Sequence, residues 1–329
     1  MTTLRTTDTG DVVVEELLPA EVLPEHLASG AAARRAAIRQ AAGRTLGRRR
    51  TATRASHVLC ALSVGICLVP LVALLAYTTA RGIHAINLGF FVHDPTPPGI
   101  PGGGIRNAIA GSVLIVGLGA LMAIPIGIVA ALFLLERRGR VATIVRFGAD
   151  VLTGVPSIAM GIFAYALLVE PLGHFSALAG CFALAVLMLP IVIRASESAM
   201  ASVPVDLREA ALALGARRSR VARSVVLRGA MAGLVTGSLL AIARAVGETA
   251  PLLFTTSSDL FNLSPLQPTG SLPLTIYANG TQAFPEAQQI AWGTAFTLLV
   301  LVLLLSIAAR IVAGRLARGS RWANSRSKR

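Results

Sequence analysis

An all-α integral membrane protein with six spanning helices is the fold class that three features of this sequence predict. Hydrophobic residues make up 54% of the 329-residue chain and charged residues only 14%, too apolar for a soluble domain of that size. Six apolar stretches are long enough, or nearly so, to cross about 30 Å of hydrocarbon as helices. Arginines crowd alternate connections between those stretches and are almost missing from the others.

Taken in order, the spans are Val58–Thr79, Ile109–Leu135, Phe147–Val169, Ala177–Ile193, Gly229–Phe254 and Ile290–Ala309. The fourth is short as drawn, and its helix is expected to continue through Arg194 towards Met200. Ahead of the first span, Arg34 to Arg54 holds eight arginines. Arg137, Arg138, Arg140 and Arg146 lie between spans two and three. Arg208, Arg217, Arg218, Arg220, Arg223 and Arg228 lie between four and five, and Arg315, Arg318, Arg321, Arg326, Lys328 and Arg329 follow span six. Residues 80–106 carry only Arg81 and Arg106, and residues 170–176 and 257–289 carry no Lys or Arg. By the positive-inside rule both termini are expected in the cytoplasm.

The net charge of +14 is carried almost wholly by arginine, with Lys328 the one lysine. Arginines placed in loops beside apolar spans speak for membrane orientation, not for nucleic-acid binding. Cys60, Cys67 and Cys181 all lie inside apolar spans with no C-x-x-C spacing. They read as small packing residues, not as a disulfide framework or zinc site. The first 30 or so residues are polar and partly acidic and hold no apolar signal-peptide core, so the first span is expected to act as its own uncleaved signal. Residues 1–55 read as a mobile basic tail, 56–314 as the membrane domain and 315–329 as a second basic tail. Within the first tail, Ala31–Arg50 either becomes helical on anionic lipid or stays solvated. The proline- and glycine-rich stretches Asp94–Gly104 and Ser257–Pro285 serve equally well as connectors or as a docking surface.

Four features can carry chemistry. Between spans four and five, Asp206 and Glu209 stand three apart as an expected N-cap and capping box. Ala210 to Leu214 favour helix, Gly215 suits the left-handed residue that ends it, and Ser219 suits the cap of a second short helix through Leu227. A stiff helical hairpin at the membrane surface or an amphipathic connector would both look like this. The second feature is Arg244-Ala245-Val246-Gly247-Glu248, near the middle of span five. A charge at that depth costs a few kcal/mol or more, so the pair is expected to face a water-filled path or to lock the bundle. Third, Arg194 with Glu197 at i+3 is either a second cationic rung or a snorkelling side chain. Fourth, Gly229, Gly233, Gly237, Ala241, Ala245 and Thr249 recur every four residues, which predicts a tightly packed neighbour for span five. Pro125, Pro156 and Pro190 interrupt spans two, three and four, and Ser157 beside the break is a candidate path residue. There is no Walker A sequence, H-E-x-x-H or Ser/His/Asp set, so no catalysis is expected on this chain.

Four runs resemble one family. Gly103 to Ser112 is similar to a GGI-x-NAI-x-G-[S/T] helix entry, Gly154 to Ile158 to a GVPSI break, and Met188 to Arg194 to an LP-x-x-x-R segment. Ala243 to Thr255 resembles the ARA-x-GETAPLLFT signature of PstA-type permeases of phosphate ABC importers. Glu209, Ala210, Ala211 and Gly215 are similar to the EAA loop of such permeases.

The resemblance spans residues 57–314. It implies the type I (MetI-like) permease fold and import of inorganic phosphate by alternating access. It further implies a multi-pass protein of the cytoplasmic membrane, paired with a homologous PstC-type permease. Two PstB-type ATPases that bind ATP and Mg would sit inside, a PstS-type phosphate-binding protein outside, and no cofactor on this chain. The resemblance makes Arg194, Arg244 and Glu248 the substrate path. It makes Glu209, Ala210, Ala211, Gly215, Arg217, Arg218 and Arg220 the coupling loop within residues 201–228. The chain departs from the family at Arg228, where proline is usual, and at Ser219 and Ala222, where bulky side chains are common. A permease for another oxyanion such as sulfate, a phosphate-sensing membrane component and a passive channel are the rival readings.

Overall fold

A computed structural model describes residues 25–97, 100, 102–137, 139–256 and 263–326. Residues 1–24, Pro98, Gly99, Pro101, Arg138, 257–262 and 327–329, on which parts of the tail and loop readings fall, lie outside the described residues. The chain divides into two compact units, Met1–Ala73 and Leu74–Arg329. All regular structure among the described residues is helical.

Helix α1 runs over Glu25–Gly82. The stretch read as a mobile tail is therefore helical from Glu25 and continuous with the first span. Its spanning part presents large apolar side chains outward, among them Leu59, Ile66 and Val69, as a lipid-facing helix does. A short α2, Leu88–Val92, is capped by Asn87, whose side chain accepts from the Phe90 amide at 2.8 Å. Helix α3 covers Arg106–Glu136. Span three is split into α4, Arg140–Gly154, and α5, Ser157–Ala164. The latter continues through a π-turn at Tyr165–Val169 into α6, Glu170–Leu172. Helix α7, Ala177–Ala201, extends through Arg194 to the end the sequence reading expected, and Ser176 caps it by accepting from the Ala179 amide at 3.2 Å.

Next come α8, Val205–Ala213, and α9, Arg218–Val221. A π-turn at Ala222–Val226 joins α9 to α10, Leu227–Val246. Helices α11, Ala250–Thr255, α12, Leu272–Gly280, and α13, Pro285–Arg326, complete the chain. Five helices are long and apolar enough to cross a membrane, and the bent pair α4–α5/α6 supplies a sixth crossing if counted as one.

Prolines do not act alike here. Pro125 and Pro190 lie inside continuous helices α3 and α7, so the interruptions expected there do not occur. Pro156 does break the chain, and the two limbs of span three meet at 106°. Val155 takes φ −72°, ψ 131°, the extended geometry that a following proline imposes. Span five is likewise not one helix to Phe254. It stops at Val246, turns at Gly247 and restarts at Ala250 with Pro251 at its beginning.

Helix α7 is the centre of the second unit. Buried Ile115 on α3, Leu184, Met188 and Val192 on α7, and Ala241 and Ala245 on α10 form its core. The small-residue ladder does what its spacing predicted: added Cβ atoms at Gly229 and Gly233 would meet Val203 Cγ2 at 3.1 Å and the Ala199 Cβ at 2.5 Å. Gly237 faces Ala195 in the same way. Close backbone approach of this kind replaces the hydrophobic driving force that helices lack in lipid.

At the arginine-poor end, residues 263–271 fold back over the bundle, and Thr269, Gly270 and Ser271 are buried in it as a packed plug. The Leu272 amide donates to Ser112 Oγ at 2.8 Å. Thr256 Oγ1 donates to the Thr269 carbonyl at 2.9 Å and accepts from its amide at 3.0 Å. The amides of Ala177 and Leu178 donate to the carbonyls of Gln267 and Pro265. The described part of this loop is held to the bundle by these hydrogen bonds. In the other proline-rich loop, Arg106 clamps Asp94 at 2.6 Å.

Candidate functional site

A helix break, an intrahelical proline and a helix end meet at one place. The α4–α5 break supplies Thr153, Pro156 and Ser157, the proline turn of α7 supplies Pro190 and Ile191, and the end of α10 supplies Arg244. Together with a few apolar neighbours they line a cavity of about 210 Å³. Pro190 has no amide hydrogen, so the Val186 carbonyl loses its intrahelical donor. The ends of α5 and α10 leave further backbone groups outside the helical ladder. Broken helices at membrane depth are tolerated where the freed groups line a cavity or are buried in protein. Ser157, singled out by sequence as a path candidate, opens onto this space, and its hydroxyl makes no hydrogen bond among the described residues.

Arg244 is in the last turn of α10. Its Nε lies 3.5 Å from Glu248 Oε1, with the two side chains 64% and 19% exposed. The pair expected from i, i+4 spacing therefore exists, but across a helix end. The Gly247 and Glu248 amides close the turn onto the carbonyls of Arg244 and Ala245, each at 3.2 Å. One long, loose contact leaves most of the guanidinium's five donors open to an anion.

Arg194 is not brought to this cavity. Its Nη2 pairs with Asp150 on α4, and its Nη1 donates to Glu197 Oε2 at 3.2 Å. Glu197 Oε1 also accepts from Arg146 Nε at 2.9 Å, and Arg146 Nη2 donates to the Leu134 carbonyl at 3.2 Å. Two arginines and two carboxylates thus tie α4 to α7. Sequence reasoning saw Glu197 but missed Asp150 and Arg146, because α4 reaches α7 only through the 106° bend.

Between α7 and α10 the loop forms a helical hairpin. No capping box starts it: Pro204 occupies the N-cap of α8, no side chain caps the helix, and Asp206 sits inside the first turn. Proline preorganises the entry, and the acidic residue complements the helix dipole from within. The end is as expected. Gly215 takes φ +79°. The Ala216 amide donates to the Ala211 carbonyl at 3.2 Å and the Gly215 amide to that of Leu212 at 2.9 Å, the paired bonds of a Schellman motif. Ser219 does not cap α9. Arg217 holds that position with no side-chain bond, and α9 runs on through the π-turn into α10. One continuous helix therefore runs from the hairpin to Arg244.

Arg217, Arg220, Arg223 and Arg228, with Ser219 and Ser224, line an open cleft of about 340 Å³ on this hairpin. Ala222 is only 4% exposed and faces its own bundle. Leu214, by contrast, is 90% exposed at the tip. Sequence reading treated it as one helix former among several; its place beside the Gly215 turn was the available signal.

With this geometry in view, comparison with known proteins is decisive. The family described as "Binding-protein-dependent transport system inner membrane component" matches residues 123–318. The phosphate transport system permease protein PstA of Yersinia pestis is 41% identical over 267 residues, covering 80% of this chain and 90% of that protein. PstA of Haemophilus influenzae is also 41% identical, covering 80% and 94%, and PstA 1 of Mycobacterium tuberculosis H37Rv is 38% identical over 272 residues. The chain belongs to the PstA permease family.

Among solved structures, an inward-facing MetNI methionine ABC transporter chain superposes with TM-score 0.52 at 19% identity, covering 64% of this chain and 94% of that one. At that identity it establishes the fold alone, a MetI-like helical permease. This PstA-family chain is thus a multi-pass membrane protein, and its relatives are named as transport permeases. The family match contains the whole of the cavity, the four-charge cluster and the hairpin.

Proposed function

We propose that this chain is the permease subunit of an ATP-driven importer that carries inorganic phosphate across the cytoplasmic membrane by alternating access. The observation that carries the reading is Arg244, weakly paired, at the cavity where the α4–α5 break, Pro190 of α7 and the end of α10 converge. Pro156 and Ser157 at the start of α5 line the same space, and a helix N-terminus adds a partial positive charge. A planar guanidinium fork suits tetrahedral oxyanions, and the relatives' names specify phosphate. Glu248 holds Arg244 in place and is displaced as the anion arrives. Arg194 acts as a neighbour of the path through its cluster with Asp150, Glu197 and Arg146.

The arginine-rich loops and both termini lie in the cytoplasm by the positive-inside rule. Residues 1–55 and 315–329 flank the membrane domain as basic tails. The hairpin carrying Glu209, Ala210, Ala211, Gly215, Arg217, Arg218 and Arg220 docks on one of two ATPase subunits, which bind ATP and Mg. A homologous PstC-type permease completes the pathway and a PstS-type binding protein delivers phosphate outside. Leu214 fills the ATPase groove in place of the bulky side chains that Ser219 and Ala222 lack.

The test is reconstitution of the complex in liposomes, reading phosphate uptake and ATP hydrolysis together. Phosphate is expected to stimulate both. Equal competition by sulfate would replace the substrate assignment, and uptake without ATP hydrolysis would replace the importer.

The hairpin makes its own prediction. Gly215→Val forces a β-branched residue to φ +79°, where even ordinary L-residues lose roughly 1–2 kcal/mol. Since no atom lies within 4 Å of the added Cβ, the penalty is conformational. ATPase co-purification is expected to fall several-fold with membrane levels unchanged, while Gly215→Asn, which tolerates this geometry, retains most of it. Equal loss in both variants would detach coupling from the turn.

A further inference from the structure

A second site lies where α3 gives way to α4, away from the Arg244 cavity. An open cleft of about 630 Å³ there has an apolar floor of Val129, Phe133 and Val141, and a rim of Glu136, Arg137 and Arg140. Both arginines are exposed, and among the described residues neither makes an ion pair, not even with Glu136. The rim therefore carries two cations against one carboxylate.

The floor continues along the exposed side of α3. Met122, Ile126, Val129 and Phe133 are all exposed, at 37, 57, 66 and 37%. They follow i, i+3/i+4 spacing, so they form one stripe. At 1.5 Å per residue the stripe is about 16 Å long, close to half of a hydrocarbon core about 30 Å thick. It ends at the arginines. On the other wall, α4 turns Val141, Ile144 and Phe147 outward at 62, 66 and 68% exposure. Helix α4 meets α5 at 106°, and its exposed basic and apolar side chains are those of an amphipathic helix.

We infer that this cleft binds one anionic phospholipid, with Arg137 and Arg140 on the headgroup phosphate and an acyl chain along the Met122–Phe133 stripe. A helix of a partner subunit would cover the apolar stripe but leave the paired cations facing nothing. A free phosphate ion would use the cations and leave the stripe bare. A phospholipid satisfies both, and the match of the stripe to the depth of one leaflet favours it. Glu136 disfavours a zwitterionic lipid less strongly than an anion, so selectivity rests on the two arginines.

The experiment is native mass spectrometry of the intact purified complex titrated with phosphatidylglycerol, with phosphatidylcholine of the same acyl chains and inorganic phosphate as separate arms. The wild type is expected to retain phosphatidylglycerol in preference to phosphatidylcholine. Arg137→Gln with Arg140→Gln is expected to weaken that retention about 30-fold, as the loss of two interfacial charges implies, and Arg137→Lys with Arg140→Lys to restore most of it. Retention unchanged in the glutamine variant overturns the site, as do equal retention of phosphatidylcholine and displacement of the lipid by millimolar phosphate. Absence of any lipid adduct on the wild-type complex places a partner subunit over the cleft and also overturns it. If the glutamine variant fails to assemble, Phe133→Ser in an otherwise intact complex must lower retention for the inference to stand.

Discussion

Phosphate uptake by the assembled complex falls about 100-fold on Arg244→Ala. One charge-assisted interaction with an anion in a partly dehydrated cavity contributes roughly 1.5–3 kcal/mol, and the upper end corresponds to that factor. Among the described residues Arg244 is the one cationic side chain lining the cavity, so no described neighbour replaces it. Its removal also leaves Glu248, whose side chain is only 19% exposed, as an uncompensated negative charge on the anion's route. Arg244→Lys is expected to recover only a small part of the uptake, because a point charge lacks the planar fork. Glu248→Gln is milder, since it releases Arg244 instead of removing it. These are read as initial rates in liposomes at matched protein levels, with complex assembly checked alongside. Uptake that survives Arg244→Ala removes Arg244 from the path.

Gly111→Val prevents stable folding. Gly111 presses on the plug: an added Cβ would overlap the Gly270 carbonyl oxygen and stand 2.7 Å from Thr269 Cγ2. The obstruction is backbone, which cannot rotate away, and the adjacent Ser112 accepts the Leu272 amide at 2.8 Å. Moving α3 far enough to admit the side chain therefore also breaks a buried hydrogen bond. Overpacking costs about 1–3 kcal/mol, and the orphaned amide adds about 1–3 kcal/mol, a large share of the stability of any domain. Loss of the chain from the membrane fraction is expected, with a lowered melting temperature for whatever remains. Gly117→Ala is the control on the same helix. Nothing lies within 4 Å of its added Cβ, and alanine gains helix propensity, so that variant is expected at wild-type levels.

Much of the candidate site was legible residue by residue. The Arg244–Glu248 pairing followed from i, i+4 spacing, the packing of α10 on α7 from the glycine ladder, and the turn at Gly215 from its freedom at positive φ. The errors share a cause. Asp206 and Ser219 have the side chains of helix caps, yet Pro204 and Arg217 hold those positions, because a helix boundary depends on backbone geometry that many residues can start. Arg194 was legible as a charge in a span but not as the partner of Asp150, which is 44 positions away.

By itself the sequence determined that this chain crosses a membrane several times, which loops carry its arginines, and which charges it places inside its spans. Those properties follow from composition and local spacing, since apolar length and charge placement act on each segment separately. Only the tertiary structure decided which proline breaks a helix. Pro125, Pro156 and Pro190 each remove one amide donor, but α3 and α7 pass through theirs while the third span bends by 106° at Pro156. Whether the freed carbonyl and the extended residue before proline are tolerated within a helix depends on what packs around them. That packing brings Pro156, Pro190 and Arg244 to one cavity, which no segment specifies alone.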